Sequence, residues 1–378
     1  MSVHIRYPRN SVLLSCILTF FLSFVTAQVS GQPVIRVSPL IWGAQVRLEH
    51  QLPGGSLPTI FGGSLGASVG STPYLRQPDG VPFEAGQLTD SDRTTSVRST
   101  FLGWNADFSR SLLLNVNDES IFSVFIGYWG RLDSRYDGQA ESTMFLADPL
   151  PHDYQGQLLN SLRTGLEFGR VRTVNASPVL EGFDGEITLE WAPREFFNEF
   201  FGIADYTRVT ARSRAFLPFL AGGGTREDSR IGLYAGVHAI ADYTSGEHVP
   251  VLVRSSFGGR SGRAGLAGTV RGYEPGRFDS IVKAAGGLEL RLVGPKTGAA
   301  AFMPGAVLYL DGGYYARFET SGSAILEDSG SIASSGAGIS VSLFDAMTLV
   351  FYTNYVLSEE LLAGGRFNPL TVGFGYHF

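Results

Sequence analysis

The sequence predicts an all-β chain that crosses a membrane as an antiparallel β-barrel, and three observations carry the prediction. Only 17% of the 378 residues are charged, against about 25% in ordinary soluble domains. Yet a single apolar run, residues 11–27, approaches the roughly 20 consecutive residues that a membrane helix needs, so a bundle of spanning helices is excluded. The chain also ends on strict alternation, with Leu370, Val372, Phe374, Tyr376 and Phe378 against Thr371, Gly373, Gly375 and His377. Period two places the apolar side chains on one face of a strand and the small or polar ones on the other. A barrel is the spanning structure in which apolar positions are diluted by the polar ones between them. With 27 Phe and 15 Tyr, disorder is also excluded, because such a chain has ample surface to bury.

The N-terminus predicts export. Arg6 and Arg9 precede an apolar run over 12–25, and Val25-Thr26-Ala27 has the small-residue pattern of a cleavage site. Residues 1–27 are therefore expected to be a signal peptide, 28–40 a short periplasmic tail, and 41–378 the barrel. A lipoprotein reading around Cys16 is set aside because the apolar run continues well past it. Cys16 is the chain's only cysteine, so no disulfide is expected.

From the C-terminus backwards, the last strand is preceded by alternating segments over 347–357 and 333–343, joined by a very short turn at 344–346. The connections on either side, 317–332 and 358–368, are longer. Barrels of this type have short periplasmic turns and longer external loops, which puts the end of the chain on the periplasmic side. Further upstream, Leu308, Leu310, Gly312, Tyr314 and Ala316 oppose Val307, Tyr309, Asp311, Gly313 and Tyr315. In the strand before, Ala284, Gly286, Leu288, Leu290 and Leu292 oppose Lys283, Ala285, Gly287, Glu289 and Arg291. An Arg or Lys on the lipid face near mid-membrane costs about 2–4 kcal/mol, so Glu289, Arg291 and Asp311 are expected in the lumen. Earlier strands are expected near 42–49, 59–69, 95–107, 109–116, 121–132, 158–168, 185–191, 205–216 and 231–243. Segments 73–92 and 133–154 read as loops. The C-terminal strands recur about every 21 residues, and that rate extended upstream predicts a barrel of about sixteen strands.

Between 254 and 281 the alternation stops in a Gly/Arg-rich stretch containing Phe257-Gly258-Gly259 and then Val270-Arg271-Gly272-Tyr273. Two strands on stands Tyr309-Leu310-Asp311-Gly312-Gly313, and between them Glu289-Leu290-Arg291. With the closing strand ending on Phe378, these segments resemble, in order, the motifs of the BamA/TamA superfamily of outer-membrane assembly and secretion barrels, the bacterial surface antigen family. The resemblance implies a sixteen-stranded barrel with a long loop folded into the lumen and Val270, Arg271, Gly272 and Tyr273 at its tip. It implies that Asp311 and Glu289 anchor that loop by pairing with Arg271, and that Tyr309 and Gly313 belong to the receiving strand motif. A guanidinium suits this role, since it stays charged and meets carboxylates bidentately. The resemblance also implies a lateral gate between the first and last strands. Gly373 and Gly375, near Tyr376 and Phe378, have little side-chain packing to lose there. Family members carry periplasmic POTRA domains before the barrel, and the 28–40 tail is expected to be too short for one.

Other chemistry is weaker. Gly62-Gly63-Ser64-Leu65-Gly66 fits a nucleophile elbow in letters only, because no helix pattern follows it. The six histidines show no metal-ligand spacing, Gly222-Gly223-Gly224 lacks the rest of a phosphate loop, and the net charge of −6 opposes nucleic-acid binding. No cofactor, metal or catalytic residue is expected, and the chain is not expected to be an enzyme. The expected function is insertion or translocation of proteins or lipids at the outer membrane of a Gram-negative bacterium. The expected partners are outer-membrane lipid and a separate periplasmic docking protein or chaperone. The alternative is a porin-like channel for small solutes, lined by Arg271, Lys283, Arg291, Glu289 and Asp311.

Overall fold

The computed structural model describes residues 34–40, 43–52, 57–75, 94–135, 156–174, 179–220, 231–260, 265–273, 278, 280–295, 302–317, 328–343, 347–358 and 366–376. These form one sheet in which fourteen strands follow in chain order, each antiparallel to the next. The strands are β1 (Val34–Leu40), β2 (Gly43–Leu52), β3 (Thr59–Leu75), β4 (Thr94–Leu114), β5 (Ser120–Arg135), β6 (Gly156–Thr173) and β7 (Leu180–Ala192). They continue with β8 (Asp205–Leu220), β9 (Gly232–His248), β10 (Val282–Val293), β11 (Met303–Arg317), β12 (Asp328–Leu343), β13 (Met347–Val356) and β14 (Phe367–Tyr376). Two single-turn helices, α1 (Val251–Arg254) and α2 (Leu266–Thr269), lie in the β9–β10 connection. Among the described residues no helix is long and apolar enough to cross a membrane.

The faces divide as the alternation predicts. On β10, Leu288, Leu290 and Leu292 are exposed outward, while Lys283 and Ala285 on the opposite face are buried. On β11, Leu308 and Leu310 are exposed and Val307, Tyr309 and Asp311 are buried. Connection lengths also alternate along the chain: the strands joined through 53–58, 115–119, 174–179 and 344–346 meet at one end of the sheet, and those joined through 76–93, 136–155 and 249–281 at the other. The longest connections are thus at the end expected to be external.

Fourteen strands lie among the described residues, against about sixteen expected for the whole chain, and several are longer than expected. β4 has 21 residues, about twice the 9–11 that a tilted strand needs to cross the bilayer. It joins segments 95–107 and 109–116, expected as two separate strands, into one that ends at Leu114. Pairing with β5 runs straight through them, Phe108 to Ile126, Ser109 to Phe125 and Arg110 to Val124. β3 and β5 likewise reach Leu75 and Arg135, inside segments expected to be loops. The barrel also starts earlier than 41, since Val34–Leu40, expected within a tail, pairs along its whole length with β2. Segment 62–66, the false nucleophile elbow, lies within β3. The expected leader 1–27 and Phe378 fall outside the described residues.

Strands that carry polar groups on their inner face need something inside the barrel to pair with them, and the β9–β10 connection supplies it. Its apolar side chains Phe257, Leu266, Val270, Tyr273 and Phe278 form a buried cluster with Ile240, Ala285, Tyr315, Ile332 and Val356 from β9 to β13. Val253 belongs to a second cluster with Leu159, Ala192, Ala204 and Tyr206 from the β6–β8 side. The loop therefore packs against both sides of the lumen through its sparse large apolar residues.

Candidate functional site

The tip of this loop lies against β10 to β13. Arg271 donates from Nε and one terminal nitrogen to the two Asp311 oxygens, at 2.7 and 2.8 Å, and its backbone N–H reaches the same carboxylate at 3.1 Å. The remaining terminal nitrogen lies 2.7 Å from Glu289. Below the guanidinium is the Tyr309 ring, 3.6 Å from its central carbon to the ring centroid. The Arg271 side chain is 15% exposed and that of Asp311 fully buried. Burial disfavours the Arg271 charge, but the Asp311 hydrogen bonds and the Glu289 and Asp311 charges outweigh it and raise its pKa. The cation is thus held charged in the lumen. Arg291 donates to the other Glu289 oxygen at 2.6 Å, so Glu289 is shared between the loop and its own strand.

The neighbouring motif residues fit this lock. Gly272 has φ +95°, a backbone conformation that costs a residue with a Cβ far more than glycine. Val270 is fully buried, and Gly313 makes room for it: a Cβ at Gly313 would lie 2.8 Å from Leu266 and 3.0 Å from Val270. The Tyr273 hydroxyl donates to the Ala333 carbonyl at 3.3 Å and is hydrogen-bonded with Ser358. Its ring is edge-on to Phe278, which packs on Tyr315. The Tyr309 hydroxyl donates to Asn354, whose amide donates to Thr371 of β14 at 2.6 Å. One chain of contacts therefore links the loop tip to the closing strand.

The structure brings together Val270, Arg271, Gly272, Tyr273, Glu289, Tyr309, Asp311 and Gly313. Gly373, Gly375 and Tyr376 stand elsewhere, in β14, paired with Val350, Thr348 and Met347 of β13. Among the described residues β1 pairs only with β2, and β14 only with β13.

A second anchor, not anticipated from the sequence, ties the other limb of the loop to the opposite wall. Arg260 donates to Glu167 of β6 at 2.9 Å and to Asp107 of β4, and its backbone N–H reaches Glu186 of β7 at 2.6 Å. Its guanidinium also stands 5.1 Å from the Phe125 ring centroid of β5. Next to it, Arg163 donates to the Gly259 carbonyl at 2.9 Å and pairs with Glu190 at 3.0 Å. Arg208 donates to the Ser256 carbonyl and takes Asp242 at 2.5 Å. Lys283, expected as a pore-lining cation in the channel alternative, donates instead to the Arg254 and Ser280 carbonyls at the loop's base, at 2.9 and 3.0 Å.

At the sequence level the chain matches no protein-family model and no curated protein. Its fold is similar to the structure of BamA from Haemophilus ducreyi lacking POTRA domains 1–3. The two share 12% identity and a TM-score of 0.52, over 91% of this chain and 64% of that one. It is also similar to CdiB from Escherichia coli, with 14% identity, TM-score 0.49, and 88% and 52% of the two chains covered. For CdiB from Acinetobacter baumannii the figures are 13%, 0.48, 91% and 50%. The chain spans less than two thirds of the length of the BamA structure it resembles. At 12% identity the likeness speaks for the fold, and the motif residues speak for the inward loop. The chain carries a β-barrel fold similar to that of the BamA structure.

Proposed function

We propose that this chain is an outer-membrane barrel of the bacterial surface antigen type that takes part in inserting or translocating proteins, or lipids, at the outer membrane. The observation that carries the reading is the β9–β10 loop, locked across the lumen by Arg271 on one wall and Arg260 on the other. A solute channel needs an open, hydrated path. Here the inward-facing charges are spent on holding a loop with an apolar core. The work of such a barrel lies at its wall, with the β1–β14 seam as the gate and a periplasmic docking protein or chaperone delivering the client.

The reconstituted barrel in lipid vesicles is expected to speed the folding of an unfolded outer-membrane β-barrel client supplied with a periplasmic chaperone. A disulfide between a cysteine placed in Val34–Leu40 and one placed in Phe367–Tyr376 is expected to abolish that gain, and reduction to restore it. A large steady conductance in planar bilayers, unchanged by deleting 258–278 and with no effect on client folding, would establish the channel alternative. A locked barrel that still accelerates folding would remove the gate.

A further inference from the structure

The β7–β8 connection, 193–204, continues the barrel wall above the end of β7 and turns phenylalanines outward. Pairing of β6 with β7 begins only at Leu162, opposite Trp191, which leaves the end of β6 beyond that point for the connection to take. The Leu158 N–H donates to the Phe201 carbonyl at 2.6 Å. Asn198, fully buried, accepts from the Asn160 N–H at 2.7 Å and donates to the Asn160 carbonyl at 2.9 Å. The Asn160 side chain faces outward, where Tyr128 donates to it at 2.6 Å, and it donates in turn to the Phe196 carbonyl at 2.8 Å. Inward, Ala192 and Ala204 at the two ends of the connection are buried with Val253 of the lumenal loop.

This clamp holds an apolar surface out. Phe196 packs edge-on against Trp191, with ring centroids 5.4 Å apart, and Trp191 continues the exposed outer stripe of Ile187 and Leu189. Beyond it Phe197, Phe200 and Phe201 are 67%, 68% and 51% exposed, and the first two rings are 6.1 Å apart. Phe197 also has φ +62°, an unusual conformation for a bulky residue that persists only where the surrounding structure enforces it. A contiguous exposed apolar patch of this kind marks an interaction surface.

We infer that this connection is an aromatic lipid anchor, with Phe197, Phe200 and Phe201 seated at the boundary between headgroups and acyl chains. Lipid is the occupant because the patch continues the lipid-facing stripe of β7 without a break. Its depth is shallow. Glu195 and Glu199 of the same turn are exposed, and their carboxylates belong at the wet, polar level of the interface, where aromatic rings are also favoured. The anchor rests on the barrel fold alone and holds whatever the lumenal loop does.

Cys16 is the only cysteine, so Phe200→Cys in a Cys16→Ser background gives one site for an environment-sensitive fluorophore. Leu189→Cys on the lipid-facing stripe and Glu247→Cys, at a position 78% exposed by side chain at the same end of the barrel, serve as references. In phosphatidylcholine vesicles the Phe200 label is expected to be blue-shifted relative to the Glu247 label. It is expected to lose most fluorescence to lipids carrying a nitroxide near the headgroup and less to those labelled deep in the chain. If Phe200→Cys does not fold, as judged by heat-modified mobility, Phe197→Cys gives the same reading. Quenching by aqueous iodide equal to that at Glu247, with none from nitroxide lipids, would overturn the anchor. Protection from both quenchers would overturn it too, by showing a protein surface, such as a second copy of the chain, on the patch.

Discussion

The lumenal loop is tied to two walls, and the two ties differ in kind. At Arg271 one guanidinium takes two carboxylates from adjacent strands, β10 and β11, with Asp311 fully buried and Glu289 11% exposed. At Arg260 the carboxylates come from β4, β6 and β7, and Glu167 is 30% exposed. The first is a dry lock, in which removing the cation strands a buried charge. The second is a wetter tether spread over several strands, in which water replaces part of what is lost. Loss of one partner of a buried pair is therefore felt more at the first than at the second.

The largest effect is expected from Arg271→Ala. It leaves Asp311 buried without its cation, at a cost of about 3–5 kcal/mol. The loop tip should become susceptible to protease, and the barrel's heat-modified mobility shift should move to lower temperature. Unchanged digestion and unchanged mobility would break the comparison at its stronger end. Arg260→Ala is expected to cost about 1.5–3 kcal/mol, the range for hydrogen bonds to charged groups. New cleavage should be confined to the limb near Phe257 while the Val270–Tyr273 tip stays protected. Cleavage that spread equally to the tip would show one anchor where the geometry shows two.

The unequal legibility of the two anchors has a physical cause. Arg271 stands in a tetrapeptide with a family resemblance, and the alternation of β10 and β11 had already turned Glu289 and Asp311 inward. Arg260 follows two glycines in a stretch with no period, and its partners Asp107 and Glu186 lie 153 and 74 residues away along the chain. Each of those acids occupies the inward face of its strand, so the reasoning that placed Glu289 and Asp311 in the lumen also required a cation opposite them. The C-terminal strands were legible because each alternates cleanly on its own. β4 was not, because its continuity through Phe108 is set by pairing with β5 and not by its own pattern.

Tyr309→Phe tests the lock more finely. It keeps the ring beneath Arg271 but removes the hydroxyl that donates to Asn354, a loss of about 0.5–1.5 kcal/mol. The loop tip should stay protease-resistant, while the thermal midpoint of the heat-modified transition falls slightly. A loosened tip would mean that the lock depends on the link through Asn354 and Thr371 to β14, and not on the ion pairs alone.

The smallest expected quantity is the coupling between the two anchors. Arg271 is held by Glu289, Tyr309 and Asp311, and Arg260 by Asp107, Glu167 and Glu186, with no residue common to the two sets. Independent sites add to within about 0.3–0.5 kcal/mol. A double-mutant cycle of Arg271→Ala and Arg260→Ala, read as the thermal midpoint of the heat-modified transition, should therefore close near zero. A larger coupling would mean that the apolar cluster around Phe257, Leu266 and Val270 transmits strain between the limbs. The loop would then act as one rigid strut, so that releasing it from either wall would release it from both.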